Sequence, residues 1–150
     1  MHILPEYSYF SMFLMGFLAS TLLPVGSEWL LVALLIKGLD PFWLLVCATS
    51  GNFLGACLTY AVGLYGSDLT MTRIFKIDEK KRAKAEAIFD KYGTMSLLFS
   101  WVPVIGDPLC LVGGIMRMHF AKYAVLVFIG KLIRYAGTVW AVNHGINYFS

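Results

Sequence analysis

The sequence predicts an all-α integral membrane protein. Its plan is an inverted repeat of a re-entrant helical hairpin plus a transmembrane helix, the two copies joined by an amphipathic surface helix. Three observations carry this expectation. First, the 150 residues are 59% hydrophobic and 14% charged, with a mean hydropathy of +0.72, against about 45–50% and about 25% in soluble domains. Second, two apolar stretches long enough to cross hydrocarbon alternate with shorter ones broken at Pro-Gly motifs. Third, those breaks recur at a spacing of 79 residues without a gap. The composition excludes a disordered chain and a soluble enzyme. The net charge of +3 is too small to imply a nucleic-acid partner. The chain forms one membrane domain, residues 1–150, with repeat 1 at about 7–66, a linker helix at about 68–92 and repeat 2 at about 93–149.

The first apolar run covers residues 7–23, near the lower limit for a span. It stops at Pro24-Val25-Gly26-Ser27-Glu28, and a second run, 29–36, follows at once. Eight residues rise about 12 Å, far short of a roughly 30 Å hydrocarbon core. Lys37-Gly38-Leu39-Asp40-Pro41 is an aqueous turn, with Asp40 suited to capping the next helix. Residues 42–65 form an uncharged span. Residues 78–92 make an amphipathic helix with a stripe at Ala85, Ile88, Phe89 and Tyr92. It fits either the membrane surface or a docking place on the protein.

The first pattern then returns. A short apolar run, 94–102, breaks at Pro103-Val104-Ile105-Gly106-Asp107-Pro108, and 109–116 is short again. Residues 120–149 are long enough to span although Lys131 and Arg134 lie within them. Shifted by 79, Pro24 meets Pro103, Val25 meets Val104, Glu28 meets Asp107 and Gly51 meets Gly130. One span and one surface helix separate the breaks, so the second copy is inverted. Matching Pro/Gly-interrupted segments in inverted halves point to a transporter-type binding site.

Each short segment is resolved by a re-entrant hairpin that turns at Pro24 and Gly26, or at Pro103, Gly106 and Pro108. Ser27 and Asp107 are suited to capping the returning helices, Asp107 ahead of Pro108. Two helix N-termini then face the membrane centre, where they favour anions. Glu28, Asp107, Lys131 and Arg134 all lie within the membrane's thickness. At about 2.5–3.5 kcal/mol each on insertion scales, four unpaired charges would cost on the order of 10 kcal/mol. The signs balance, and Lys131 and Arg134 share a helix face, so one polar cluster is expected. Capping by Asp107 and snorkelling by Lys131 and Arg134 are the plainer alternatives. Asn52, in Gly51-Asn52-Phe53-Leu54-Gly55, either joins the cluster or marks close helix packing. Cys47, Cys57 and Cys110 show no metal spacing and are expected as buried free thiols. No metal or cofactor is expected.

The two break motifs, the stretch from Leu98 to Gly113, and Gly130-Lys131-Leu132-Ile133-Arg134-Tyr135 resemble the DedA family, also called the SNARE-associated or VTT-domain group, in a short branch. The resemblance covers nearly the whole chain. It implies a bacterial inner-membrane protein with two opposed re-entrant hairpins. It also implies roles in moving polyprenyl-phosphate carriers, in proton-linked membrane homeostasis or in lipid scrambling. The family's hairpin Glu falls on Glu28, and an acid required in some members falls on Asp40. Many members carry arginines around the second Pro motif. Here those places hold Ser100, Trp101, Gly106 and Asp107, which leaves Lys131 and Arg134 to supply positive charge.

The expected function is a proton-coupled transporter or flippase for an anionic lipid or small anion. Glu28 and Asp107 would exchange protons while Lys131 and Arg134 hold the anion. An uncoupled scramblase and a non-transporting membrane adaptor are the alternatives. An enzyme is not expected, because no HExxH, GxSxG or histidine-nucleophile arrangement occurs. The start of the chain lacks the features of a cleaved signal peptide. The positive-inside rule places 73–91 in the cytoplasm and both termini outside, the N-terminus switching sides if residues 7–23 cross fully. Two true spans in about 17 kDa enclose little, so a homo-oligomer is expected.

Overall fold

The structure is a computed structural model that describes residues 5–21, 27–66, 79–102 and 105–149. Among these residues every regular element is helical: α1 (Pro5–Thr21), α2 (Ser27–Ile36), α3 (Pro41–Tyr65), α4 (Glu79–Tyr92), a 3-10 segment (Gly93–Trp101), α5 (Gly106–Ile115) and α6 (Phe120–Phe149). Helices α3 and α6 are long and apolar enough to cross a bilayer, while α2 and α5 are short and apolar. The breaks at Pro24, Gly26 and Pro103 lie outside the described residues.

Helix α3 starts as its sequence dictates. Asp40 Oδ1 accepts a hydrogen bond from the Phe42 N–H at 2.8 Å, and Pro41 holds the first helical turn. Small residues then decide its neighbours. A methyl group at Gly51 would overlap the Phe13 carbonyl, and one at Gly55 would crowd Phe17 and Ser20. The GxxxG motif therefore lets α1 lie directly on α3. The contacts climb together, from Tyr9 near Asp40 to Ser20 beside Thr59, so α1 and α3 run in the same direction.

Helix α6 runs antiparallel to α3. Asn52 meets Tyr135, Phe53 meets Phe128 edge-on at 5.4 Å between centroids, the Ala56 carbonyl accepts from the Tyr123 hydroxyl at 2.7 Å, and Tyr60 meets Phe120. Helix α2 returns along the later half of α6, with Leu31, Leu34 and Leu35 in one apolar cluster with Tyr135. Helix α5 instead packs on the later half of α3, where Gly63 and Gly114 bring the two backbones together. Each long helix thus supports the short helix of the other half.

The two short helices end alike. After α2, Gly38 (φ 84°) donates to Leu35 O at 3.0 Å and Leu39 donates to Leu34 O at 3.3 Å. After α5, Arg117 (φ 53°) donates to Gly114 O at 3.0 Å and Met118 donates to Gly113 O at 3.2 Å. Both are Schellman-type ends with a left-handed residue, which glycine adopts without strain.

Two expectations change. The stripe of α4 is turned inward for most of its length: Ala85 is fully buried, and Ile88 and Phe89 pack against the cluster around Leu97, Leu109 and Tyr123. An apolar stripe suits lipid and protein equally, and here the core takes it, leaving only Tyr92 half exposed. The second short run, 94–102, is a 3-10 segment, with Ser96, Leu97 and Ser100 buried against α5 and α6. Of the three thiols, all free, only Cys110 is buried, and Cys47 and Cys57 are half-buried.

Candidate functional site

Lys131 stands eleven residues into α6, about 16 Å along its axis, and Asn52 stands equally far into α3. Eleven residues of rise is about half the roughly 30 Å thickness of a hydrocarbon layer. The side chains gathered there are those of Glu28, Asn52, Asp107, Lys131 and Arg134, together with Ser27 and Tyr135.

Two ion pairs form the centre. Lys131 Nζ donates to Asp107 Oδ1 at 2.9 Å, and Lys131 is fully buried. Arg134 pairs with Glu28 through its terminal nitrogen. The two cations are three residues apart on α6, so the pairs lie side by side, one carboxylate arriving on α5 and the other on α2. Burying a charge is costly unless a partner of opposite sign lies close. Pairing supplies that partner for all four groups.

A neutral network adjoins the pairs. The Tyr135 hydroxyl lies 2.9 Å from Ser27 Oγ and accepts from Asn52 Nδ2 at 2.8 Å. It ties α6 to α2 and α3 at one level. Ser27 Oγ also lies 3.4 Å from Glu28 Oε2. Thr49 Oγ1, Asn52 Oδ1, Ser100 Oγ and Arg134 Nε are buried without a hydrogen-bond partner. Ser100 belongs here because its hydroxyl fills the space in front of Gly130, next to Lys131.

The structure brings Glu28, Asp107, Lys131, Arg134 and Asn52 together. Asn52 satisfies both readings at once, since its flanking glycines pack on α1 while its amide reaches Tyr135. Asp40 stays apart: it is an exposed cap twelve residues, roughly 18 Å of helix rise, from Asn52. Asp107 is not a cap. It lies inside the first turn of α5, the cap position is held by Ile105, and the carboxylate goes to Lys131 instead. An ammonium within reach outcompetes a backbone N–H for a carboxylate, because both partners carry full charge. Ser27 is the first residue of α2, and its hydroxyl is spent on Tyr135. Lys131 and Arg134 are paired inside the protein rather than extended toward the interface. Gly106 and Pro108 are buried at the start of α5, where a methyl on Gly106 would overlap the Ser100 carbonyl.

Sequence reasoning missed Tyr135 and the hydroxyl of Ser27 as members of the network. A signal for Tyr135 was present, since it follows Lys131 by four residues and so shares its helix face.

Comparisons with known proteins show the family. The VTT domain family matches residues 23–144. The chain is 38% identical over 142 residues to the inner membrane protein YqaA of Escherichia coli, covering 93% of this chain and 94% of that one. It is 34% identical to an uncharacterized protein of Haemophilus influenzae, covering 86% and 83% of the two chains. It is 32% identical to an uncharacterized protein of Methanocaldococcus jannaschii, covering 90% and 84%. No solved structure matches. With two spans' worth of apolar helix and a match across most of its length, the chain belongs to the VTT-domain, or DedA, family of membrane proteins.

Proposed function

We propose that this protein is a proton-coupled transporter or flippase for an anionic lipid, of the polyprenyl-phosphate or phospholipid class, or for a small anion. The observation that carries the reading is the pair of carboxylate–cation contacts side by side at mid-length of α6, each joining a well-buried cation to a partly exposed carboxylate. An apolar chain keeps such groups at membrane depth when they serve a pathway. An anion can replace a carboxylate on either cation, and a proton can neutralise the displaced carboxylate, so both kinds of cargo have a place.

Helix directions support the re-entrant, inverted reading. Helix α1 runs with α3 and α2 returns to the end where α3 starts, so chain enters and leaves on one side. Helix α5 leads to the start of α6, which is antiparallel to α3 and begins on the other side. The proposal includes an inner-membrane location with 73–91 in the cytoplasm. It also includes a homo-oligomer, since two long helices enclose little alone and both carry exposed apolar side chains such as Trp43 and Trp140.

Purified protein in liposomes tests the function. Glu28→Gln and Arg134→Ala should each reduce movement of a fluorescent anionic phospholipid and of radiolabelled phosphate to near the level of empty liposomes. Wild-type rates in both variants would refute the reading. Transport indifferent to a pH gradient would replace it by uncoupled scrambling.

A further inference from the structure

The two ion pairs are chemically unequal. Arg134 carries five N–H donors on a planar group that keeps its charge, so it can hold Glu28 and a second acceptor together. Its Nε is buried and unpartnered already. Lys131 is a compact ammonium, sealed from solvent, and its one hydrogen bond among the described residues goes to Asp107. If Asp107 takes a proton, Lys131 becomes a bare buried charge, a far less favourable state than the pair. An anion that takes the place of the carboxylate restores the pairing.

We infer that Lys131 and Asp107 form the coupling element of the proposed transporter: a proton on Asp107 hands Lys131 to the anion, and Arg134 shares that anion through its free Nε. The inference rests on the transport reading above. In the resting state the pair is an ammonium and a carboxylate, with a sum of zero. Binding adds one proton, which forms the carboxylic acid O–H on Asp107, and one negative charge, which takes the freed hydrogen bonds of Lys131. The sum is zero again. A site in a low-dielectric interior changes occupant most cheaply when its net charge does not change. One proton therefore enters with each singly charged anion, and the cycle is electroneutral.

The groups around the pair leave this assignment to Asp107. Cys110 on α5 and Tyr123 and Tyr135 on α6 interact with the cluster, Cys57 on α3 lies beyond them beside Cys110 and Tyr123, and thiols and phenols ordinarily keep their protons at neutral pH. Arg134 is fixed in charge. The 3-10 segment brings Ser100, which does not titrate. Glu28 is the other acid paired with a cation of α6, and its partner Arg134 does not lose all its contacts when Glu28 is protonated.

The ligand chemistry shared by lipid and free sources is a singly charged phosphate diester. The probes are therefore a fluorescent phosphatidylglycerol in the vesicle bilayer and radiolabelled dimethyl phosphate in solution, and the probe that moves identifies the source. In wild-type liposomes, acid on the donor side should raise the rate several-fold, while a potential imposed with valinomycin and potassium should leave it unchanged. Asp107→Asn should lose the response to the pH gradient, and Asp107→Glu should restore it. A wild-type gradient response in Asp107→Asn, or a wild-type rate that follows the potential, overturns the inference while leaving transport intact. If wild type moves neither probe, nor a polyprenyl phosphate, nor radiolabelled inorganic phosphate, the transport reading itself fails. Infrared difference spectra then decide the pair, and they also decide it if Asp107→Asn does not fold. Adding dimethyl phosphate to purified protein should raise the carbonyl band of one protonated carboxylic acid, retained in Glu28→Gln and moved in frequency in Asp107→Glu. No such band in wild type overturns the exchange.

Discussion

Gly38 and Arg117 stand 79 residues apart, each closing a ten-residue apolar helix with the same two backbone hydrogen bonds. Thr59 and Thr138, at the same spacing, each donate to the carbonyl four residues back. The short helices share their endings and the long helices share this threonine bond. The halves differ in what they mount at the centre. The first long helix carries Asn52 and Gly55 where the second carries Lys131 and Arg134. Gly55 cannot be an arginine, because Phe17 and Ser20 of α1 lie against it. Helix α1 lies close against Gly51 and Gly55 of α3, and both cations stand on α6. Both acids, from opposite halves, come to that one helix.

The two long helices differ most at Lys131. Removing one member of a buried pair typically costs about 3–5 kcal/mol, because the other is left charged and alone. Lys131→Met should lower stability by that order in thermal unfolding of the detergent-solubilised protein. Lys131→Met with Asp107→Leu should recover much of it. The equivalent Asn52→Leu should cost less, since no net charge is stranded.

The two central glycines differ in what lies against them. Gly51→Ala drives a methyl into the Phe13 carbonyl, which is backbone and cannot turn aside, and overpacking of that kind costs about 1–3 kcal/mol. Gly130→Ala meets the Ser100 hydroxyl, which can rotate away. Equilibrium unfolding of the two variants should rank Gly51→Ala clearly the worse, and Ser100→Ala should relieve Gly130→Ala.

The smallest effects, of opposite sign, belong to the turns. Arg117 holds a left-handed conformation that glycine adopts freely. Arg117→Gly should stabilise by up to about 1 kcal/mol, and Gly38→Ala should destabilise by about as much. Paired melting curves would check both signs.

The helices were legible because apolar length and Pro-Gly breaks are local signals. The last span, 120–149, matches α6 end to end, and the second run, 29–36, lies within α2. The gathering of Glu28, Asp107, Lys131 and Arg134 followed from the cost of charge in hydrocarbon. The assignment of partners did not. Aspartate before proline suits a cap and an ion pair equally, and only the distance to Lys131 decides for the pair. The stripe of α4 is the same case, since Ala85 and Ile88 look alike whether they meet lipid or Leu97. Tyr135 was overlooked because a tyrosine in an apolar helix carries no charge to account for. Its hydroxyl nonetheless joins three helices.

The central claim is that cations at mid-length of α6 hold an anion inside the protein. The most direct measurement is the affinity of purified wild type and Arg134→Ala for a soluble short-chain phosphatidylglycerol, with a short-chain phosphatidylcholine as the zwitterionic control. The account predicts binding of the anionic lipid in preference to the control, weakened about tenfold or more in Arg134→Ala, a loss of about 1.4 kcal/mol. Equal affinity of the two proteins for the anionic lipid would contradict it.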